Sequence, residues 1–224
     1  MKNGNTWLSY KASVQGSREV LIRPWLFACK GLLVGNGVDF GCGEGEFTEA
    51  IAAFPSVNIV GIDSDPGVIE LANARTGKKA RYICSDICSK VARNVCTQAN
   101  FFVGICSLSH IDDRKCREVI NNLSIDLLPD KLVAMIVPHI QWAKNNYINI
   151  EVVESGITAN PRFNGRQWFR EAQWYIDTFA TYGFQLLDSA NLVIPDDARL
   201  EQRYLDNVGS ALFASFIFEE KGHG

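Results

Sequence analysis

The chain has 224 residues, of which 47% are hydrophobic and 21% are charged, and its formal net charge is −3. This length suits one α/β domain with a full core and a modest insertion. The slight negative charge gives no general attraction to nucleic acid or to anionic membranes, and no apolar run approaches the roughly 20 residues that a membrane helix needs.

Strand and helix signals alternate along most of the chain, a pattern typical of a parallel sheet covered by helices on both faces. Apolar residues at helical spacing predict a first helix over Arg18 to Leu33, which Pro24 kinks or divides. The helices that follow start at Glu46, at Pro66 and near Asp112-Asp113, where either aspartate can cap the helix. Five buried strands are predicted at Gly37 to Phe40, Asn58 to Ile62, Arg81 to Cys84, Asn100 to Cys106 and Leu132 to Val137.

The pattern changes after the fifth strand. Pro138 to Gly165 has no clean period, and helical spacing returns over Gln167 to Tyr182. Two final strands, Phe184 to Val193 and Ala211 to Phe218, are expected to close the sheet in antiparallel fashion.

We expect a single domain over residues 1–224, with an N-terminal helical cap at 1–33 and a substrate-binding insertion or lid at 138–170. The polar residues 1–15 lack the apolar core of a signal peptide, and the seven cysteines include no C-x-x-C pair. Reduced thiols and a cytoplasmic protein are therefore predicted. Both a monomer and a homodimer are compatible with the sequence.

A glycine-rich turn joins the first strand to the helix that starts at Glu46. Glycine allows the backbone to turn sharply and lets a ligand approach the main chain without a Cβ in the way. The start of the helix also offers free N–H groups. Such a turn alone is weak evidence for a ligand, because similar turns occur for structural reasons. The segment reads Val38-Asp39-Phe40-Gly41-Cys42-Gly43-Glu44-Gly45.

Three carboxylates stand at the ends of three successive predicted strands, namely Asp39, Asp63 and Asp86. In an open α/β sheet, ligands bind at this carboxyl edge. Asp63 can accept hydrogen bonds from two vicinal ribose hydroxyls, and Asp86 is placed to meet an adenine amino group. Each acid alone is as well explained by a helix cap or a turn. Together with the glycine turn, the three acids indicate a nucleoside-binding edge.

This arrangement resembles the class I S-adenosylmethionine-dependent methyltransferases over most of the chain. Their first motif is an acid followed by glycines at alternating positions, and Gly104 to Ile111 is similar to the strand and loop that pass beneath the methionine moiety. The resemblance implies S-adenosylmethionine as the cofactor. It also implies a Rossmann-like, doubly wound α/β sheet of seven strands, mostly parallel with a C-terminal antiparallel strand. The implied cofactor-binding residues are Asp39, Gly41, Cys42, Gly43 and Gly45 in the first motif, Asp63 and Ser64 at the ribose, Asp86 and Ile87 at the adenine, and Cys106 after the fourth strand.

A dinucleotide-binding dehydrogenase is the alternative explanation of the glycine turn. Its fingerprint leaves two residues between the second and third glycines, whereas Gly43 and Gly45 are separated by one. The acid two positions before Gly41 is also unusual for that fingerprint. The spacing therefore favours the methyltransferase.

Two histidines are candidates for a catalytic base. A sulfonium methyl mainly needs an aligned acceptor, but a hydroxyl or a protonated amine must also lose a proton. His110 follows the fourth strand and is the first candidate, and His139, two residues after the fifth strand, is the second. Imidazole titrates near neutral pH, which suits this role. The alternative is that His110 only packs or forms hydrogen bonds in its loop.

The acceptor pocket is expected to form between the N-terminal segment and the region from Pro138 to Trp174. The predicted substrate contacts are Tyr10, Trp142, Tyr147 and Arg166. Aromatic rings suit a planar or cationic acceptor. Trp168, at helical spacing, is expected in the core instead. Arg162, Arg166 and Arg170 would form a cationic stripe for an acidic substrate if the helix begins early, although a solvated helix face is the more common explanation.

The expected acceptor is a small-molecule metabolite or an intermediate of secondary metabolism, methylated at oxygen or nitrogen, with carbon as a further option. Two alternatives stay open: a protein or RNA methyltransferase, and a non-catalytic module that binds S-adenosylmethionine. The sequence pI of about 5.7 and the missing Asn-Pro-Pro-Tyr type motif are evidence against RNA. The complete set of cofactor acids is evidence against a non-catalytic module. No metal is expected, because the three histidines show no ligand spacing.

Overall fold

A computed structural model describes residues 16–75, 77–124, 131–147, 149–159, 166–195 and 210–220. The strands are β1 (Gly35–Phe40), β2 (Val57–Asp63), β3 (Arg81–Cys84), β4 (Phe101–Ile105), β5 (Leu132–Pro138), β6 (Ile150–Val153), β7 (Gly156–Ala159), β8 (Gln167–Arg170), β9 (Phe184–Val193) and β10 (Ala211–Glu220). The helices are α1 (Arg23–Ala28), α2 (Glu46–Ala52), α3 (Pro66–Ala74), α4 (Lys90–Cys96), α5 (Asp113–Ser124), α6 (Ile140–Asn146) and α7 (Ala172–Thr181).

Seven strands form the main sheet in the order β3-β2-β1-β4-β5-β10-β9. Six of them run parallel, and β10 is antiparallel to both of its neighbours, β5 and β9. This confirms the predicted seven-stranded sheet with a C-terminal antiparallel strand. The strand order reverses between β1 and β4, and the carboxyl ends of these two strands therefore flank the switch point where ligands bind in such sheets.

Helices cover both faces of this sheet because each has an apolar stripe to bury. The core on one face includes residues of α1, α2 and α3, and the core on the other face includes residues of α4, α5 and α7. In the second core, the rings of Phe179 and Phe218 stack with their centroids 4.0 Å apart. The two cores fix the strand ends that carry the candidate site.

The N-terminal helix is divided, as Pro24 predicts. A π-helical turn over Arg18–Ile22 leads into α1, and a 3-10 turn over Cys29–Gly31 follows it. Pro24 lies in the first turn of α1, directly after the π-helical turn, and because it has no N–H, one hydrogen bond of the helical run is missing where the helix type changes.

A second, three-stranded antiparallel sheet in the order β6-β7-β8 follows α6. It has a small core of its own, made by Ile140, Ala143, Ile157, Ala159 and Phe169, with Tyr147 and Ile150 against it. The described parts of residues 138–170 are called the insertion below.

The helix predicted over Gln167 to Tyr182 is wrong in its first turn. Gln167–Arg170 form strand β8, and the helix begins only at Ala172. Pairing with β7 lets Phe169 enter the small core of the insertion, which a helix at this point would not allow. The predicted arginine stripe is therefore not helical: Arg166 precedes the strand and Arg170 is buried at its end. Trp168 lies in the strand and is half-buried, while Arg162 lies outside the described residues.

Candidate active site

The glycine turn between β1 and α2 requires glycine for two physical reasons. Gly41, Gly43 and Gly45 have φ values of 70°, 54° and 75°, in the left-handed region that favours glycine. A Cβ on Gly41 would lie 2.4 Å from the Cβ of Ser107, and one on Gly45 would lie 2.3 Å from the hydroxyl oxygen of Tyr82. The turn therefore packs tightly against the loop after β4 and against β3.

Asp39, at the carboxyl end of β1, is a buried carboxyl group that is 2% exposed. Its Oδ2 accepts a hydrogen bond of 2.6 Å from Thr48 Oγ1. Burial raises the pKa of Asp39 to about 7, and the negative charge of Asp63 adds to this, while the Thr48 hydroxyl and Arg18 act to lower it. The carboxyl group of Asp39 is therefore expected to gain or lose its proton near neutral pH.

Asp63, at the end of β2, is held by two backbone N–H groups. Gly43 N donates to its Oδ2 at 2.9 Å, and Asp65 N donates to its Oδ1 at 3.0 Å. A carboxylate can accept about four hydrogen bonds, so both oxygens of this half-buried group keep acceptor capacity. The structure therefore ties Asp63 to the glycine turn, with a carboxylate available for ligand hydroxyls.

A cleft opens beside the glycine turn. Among the described residues it is lined by Arg18, Asp39, Gly41, Cys42, Gly43, Glu44, Glu46, Phe47 and Ile105. The guanidinium of Arg18 lies 4.7 Å from the ring centroid of Phe47, and its Nη1 is 3.3 Å from Glu46 Oε2. The lining of the cleft thus includes both a cation, Arg18, and a buried carboxyl group, Asp39.

Sequence reasoning gave Arg18 no role in this site. Arg18 precedes Asp39 by 21 positions, in a helical segment without motif spacing. The only signal was an arginine in the N-terminal cap, and tertiary packing of that cap brings it to the cleft.

Asp86 lies farther along the same edge, after β3. Its Oδ1 accepts from Cys88 N at 2.7 Å, and its Oδ2 lies 3.0 Å from Lys115 Nζ. Burial acts to raise the pKa of Asp86, but the Cys88 N–H and the Lys115 ammonium together hold it below its ordinary value. Ser64 is exposed near this edge, and Ile87 packs against the core.

The cap of α5 is Asp112, one of the two aspartates that the sequence proposed. Its Oδ1 accepts a hydrogen bond of 2.7 Å from Lys115 N. Asp112 therefore helps to position α5, the helix that carries Lys115 next to Asp86.

His110 ends a 3-10 turn, Leu108–His110, that follows β4. Before the turn, Cys106 has a left-handed φ of 59°, unusual for a side chain with a Cβ, and Ser109 Oγ donates to Cys106 O at 2.7 Å. His110 is exposed to solvent at the end of this turn, although protein atoms also pack around its ring. Burial lowers the pKa of His110, and the charge of Asp63 acts in the opposite direction.

His139 caps α6. Its Nδ1 accepts a hydrogen bond of 3.2 Å from Gln141 N. With Nδ1 as acceptor, the neutral ring carries its proton on Nε2 and presents a donor there. Burial lowers the pKa of His139, and Glu171 opposes this.

Two of the predicted substrate residues, Trp142 and Tyr147, contact each other on α6 and just after it. Their ring centroids are 5.5 Å apart in an edge-on arrangement, and Tyr147 lies 5.5 Å from the ring of Phe169. Trp142 also packs against the core on the α1 side of the sheet, the core against which Ile105 and Cys106 pack as well. The aromatic rings of the insertion thus extend from its own small core to the core of the main sheet.

Arg166 has partners within the insertion. Its guanidinium donates to Thr158 Oγ1 at 3.1 and 3.0 Å and forms an ion pair with Glu151. Its charge is therefore already compensated. Tyr10, the fourth predicted substrate residue, lies outside the described residues.

Among the residues that the structure describes, no three His, Cys, Asp or Glu side chains are grouped as metal ligands. No helix in the same described ranges is long and apolar enough to cross a membrane.

Comparison with known proteins gives one family match and many structures of the same fold. A family model described as a methyltransferase domain matches residues 38–129, which span the glycine turn, Asp63, Asp86 and His110. A search of the curated proteins gives no match.

Three of the similar structures illustrate the range of the fold. An S-adenosylmethionine-dependent methyltransferase from Methanosarcina mazei is 17% identical, with a TM-score of 0.63 over 84% of this chain and 93% of that chain. A putative methyltransferase from Haloferax volcanii, in complex with the Trm112 methyltransferase activator, is 12% identical, with a TM-score of 0.67 over 98% of each chain. A structure concerned with the conversion of a disulfide bond into a thioacetal group during echinomycin biosynthesis is 18% identical, with a TM-score of 0.64 over 90% and 83%. At these identities the likeness is one of fold.

Proposed function

We propose that this chain is a class I S-adenosylmethionine-dependent methyltransferase, as the methyltransferase-domain match over residues 38–129 supports, and that it methylates an oxygen or nitrogen atom of a small-molecule metabolite. The observation that carries the proposal is the cleft at the switch point of the sheet, where Arg18 and Asp39 face the glycine turn beside Asp63.

The chemistry of the cleft fits S-adenosylmethionine. The methionine end of the cofactor carries a carboxylate and an ammonium group, and the cleft offers the guanidinium of Arg18 and the carboxyl group of Asp39. Asp63 has acceptor capacity for the two ribose hydroxyls. In this proposal, Asp86 and Ile87 lie at the adenine, and Ser64 and Cys106 border the ribose and the methionine.

Replacing Arg18 by glutamine is expected to weaken the binding of S-adenosylhomocysteine about 10-fold, because a charge-assisted contact to the carboxylate is lost. Isothermal titration calorimetry measures this directly. Arg18 is paired with Glu46, so part of the gain from the cofactor carboxylate is offset by this existing ion pair.

The control for this variant is 5′-methylthioadenosine, which has the adenosine and the thioether but neither the carboxylate nor the ammonium group. Its affinity should be the same for the wild type and for Arg18→Gln. An equal loss of affinity for both ligands would mean that Arg18 supports the fold of the cleft and does not bind the carboxylate.

We assign the proton transfer to His110 in preference to His139. When bound, S-adenosylmethionine supplies an electrophilic methyl group on its sulfonium. His110 would take up at its imidazole nitrogen the proton that the acceptor loses when it is methylated. Its lowered pKa keeps His110 neutral and able to accept a proton at physiological pH. His139 already uses its Nδ1 to cap α6, so it would have to give up the cap to act as a base.

The insertion supports a small acceptor. Trp142 and Tyr147 form an aromatic pair in the insertion, and Trp142 packs against the same core as Cys106; aromatic surface suits a planar or cationic molecule. The net charge of −3 gives no electrostatic preference for RNA. One neighbour of the same fold comes from echinomycin biosynthesis, a natural-product pathway. We therefore favour an acceptor from secondary metabolism.

A protein or RNA acceptor is the second candidate, because another neighbour of the same fold is bound to a methyltransferase activator. Transfer of a tritiated methyl group from S-adenosylmethionine separates the two. The acceptors are a panel of phenols, amines and carboxylic acids, total RNA, and a protein extract. Methylation confined to small molecules supports the proposal. Salt-sensitive labelling of RNA or labelling of protein would overturn it, and cofactor binding without transfer to any acceptor would indicate a non-catalytic module.

A further inference from the structure

Arg170, at the end of β8, is a fully buried cation whose side chain is 0% exposed. Its Nη1 donates to Leu108 O at 2.7 Å, and its Nη2 donates to Ile111 O at 2.6 Å. These two carbonyl groups stand on either side of His110 in the chain. One guanidinium from the insertion therefore holds both ends of the turn that carries the proposed base.

The third contact of Arg170 joins this turn to α5. Its Nε donates to Asp113 Oδ1 at 2.8 Å, and the same oxygen accepts from Ser155 Oγ at 2.8 Å. Ser155, between β6 and β7, is buried. The insertion thus contacts the start of α5 at two places, through Arg170 at the end of β8 and through Ser155 between β6 and β7.

A buried cation is tolerated only when its donors are satisfied and its charge is balanced. The planar fork of arginine can reach two carbonyl groups and a carboxylate at once, which the point charge of lysine cannot do. Trp174 and Tyr175 also lie beside it, with Cζ of Arg170 4.9 Å from the ring centroid of Trp174. These contacts define one position for the guanidinium and, through it, one position for the turn.

We propose that Arg170 is a positioning residue, which fixes the His110 turn against the cofactor cleft and makes the turn and the insertion one rigid unit. The inference rests on the proposed role of His110 as the base. It explains why an arginine is buried here, since the partners of its Nη atoms are backbone groups of a loop that packs on Gly41 through Ser107. Without the guanidinium, the turn would keep its sequence but lose the restraint on both of its ends.

The test is the NMR titration of His110 in protein saturated with S-adenosylhomocysteine, in the wild type and in Arg170→Gln and Arg170→Lys. In the wild type, the pKa of His110 should lie below its ordinary value, because of burial. In both variants the pKa should shift upward, toward the ordinary value of imidazole, since a loosened turn no longer holds the ring against the protein groups that lower its pKa. Amide hydrogen exchange over residues 107–111 should speed up by about 10-fold or more. The titration of His139 should not change.

Arg117→Gln is the matched control. Cζ of Arg117 lies 5.1 Å from the ring centroid of Trp174, and its guanidinium pairs with the exposed Glu154; neither of these contacts reaches the His110 turn. Arg117→Gln should leave the pKa of His110 and the amide exchange over residues 107–111 at their wild-type values. Equal titration and exchange in Arg170→Lys and Arg117→Gln would overturn the proposal. If Arg170→Gln does not fold, Arg170→Lys and Ser155→Ala carry the test. Because neither readout needs turnover, the result is independent of whether a small-molecule acceptor is found.

Discussion

Replacing Asp39 by asparagine is expected to weaken S-adenosylmethionine binding by about 10- to 100-fold near neutral pH, since a buried charge-assisted contact to the ammonium group is lost. The same variant should make the cofactor-free protein more stable. The loss of cofactor affinity and the gain in stability both arise from the burial of the Asp39 carboxyl group. Asp39 is 2% exposed, and its pKa is raised by burial from 3.8 to about 7.

The sign of the stability effect follows from proton linkage. A carboxyl group whose pKa is higher in the folded than in the unfolded state binds its proton more tightly when folded, so stability falls as pH rises between the two values. The displacement from 3.8 to about 7 corresponds to a penalty of about 4 kcal/mol once both states are ionised, as an upper bound. Asparagine carries no such penalty. The gain in melting temperature should therefore be largest above about pH 7 and should vanish near about pH 4.

Melting curves of the cofactor-free protein across this pH range, with calorimetry of cofactor binding, test both effects. Wild-type affinity should rise with pH as Asp39 ionises, and the affinity of Asp39→Asn should lack this rise. Glu154→Gln removes a carboxylate from the surface and serves as the control for loss of charge alone. A melting temperature that falls in Asp39→Asn at every pH would show that the ionised carboxyl group holds the folded cleft together instead.

The glycine turn and the three acids could be predicted because their signals are local. A left-handed φ at Gly41, Gly43 and Gly45 excludes most other residues, and the position of an acid at a strand end is visible in the sequence. The alternation of strand and helix likewise indicates a mostly parallel sheet covered by helices on both faces. The local pattern does not show which residues from distant parts of the chain contact the site.

Arg170 shows this most clearly. In the sequence it forms a four-residue repeat with Arg162 and Arg166, which indicates a solvated helix face. In the structure its Nη partners are carbonyl groups of Leu108 and Ile111, about 60 positions away, and a backbone carbonyl leaves no mark on the sequence. A four-residue strand is also too short for its period to be told from one turn of helix, which is why β8 was predicted as helix. The short helix α4 was not predicted for a similar reason of length.

Replacing His110 by alanine is expected to lower kcat about 100-fold for an acceptor that must lose a proton, with little effect on cofactor affinity, because the loss of a general base costs about that much. The expected pH dependence has a definite sign. Burial lowers the pKa of His110, so wild-type activity should fall on the acid side only below the ordinary titration range of imidazole. His110→Ala should lose this acid limb.

A series of substituted phenols with decreasing pKa, taken from the acceptor class that the labelling experiment identifies, separates proton transfer from positioning. Phenols that are already ionised need no base, so the difference between wild type and His110→Ala should shrink as the acceptor becomes more acidic. His139→Ala is the comparison variant, and its effect should appear in the stability of α6, whose first turn it caps, and not in the dependence on acceptor pKa. If His139→Ala instead removed the acid limb while His110→Ala kept it, the base would be His139, and the restraint that Arg170 places on the His110 turn would serve the fold of the cleft and not the proton transfer.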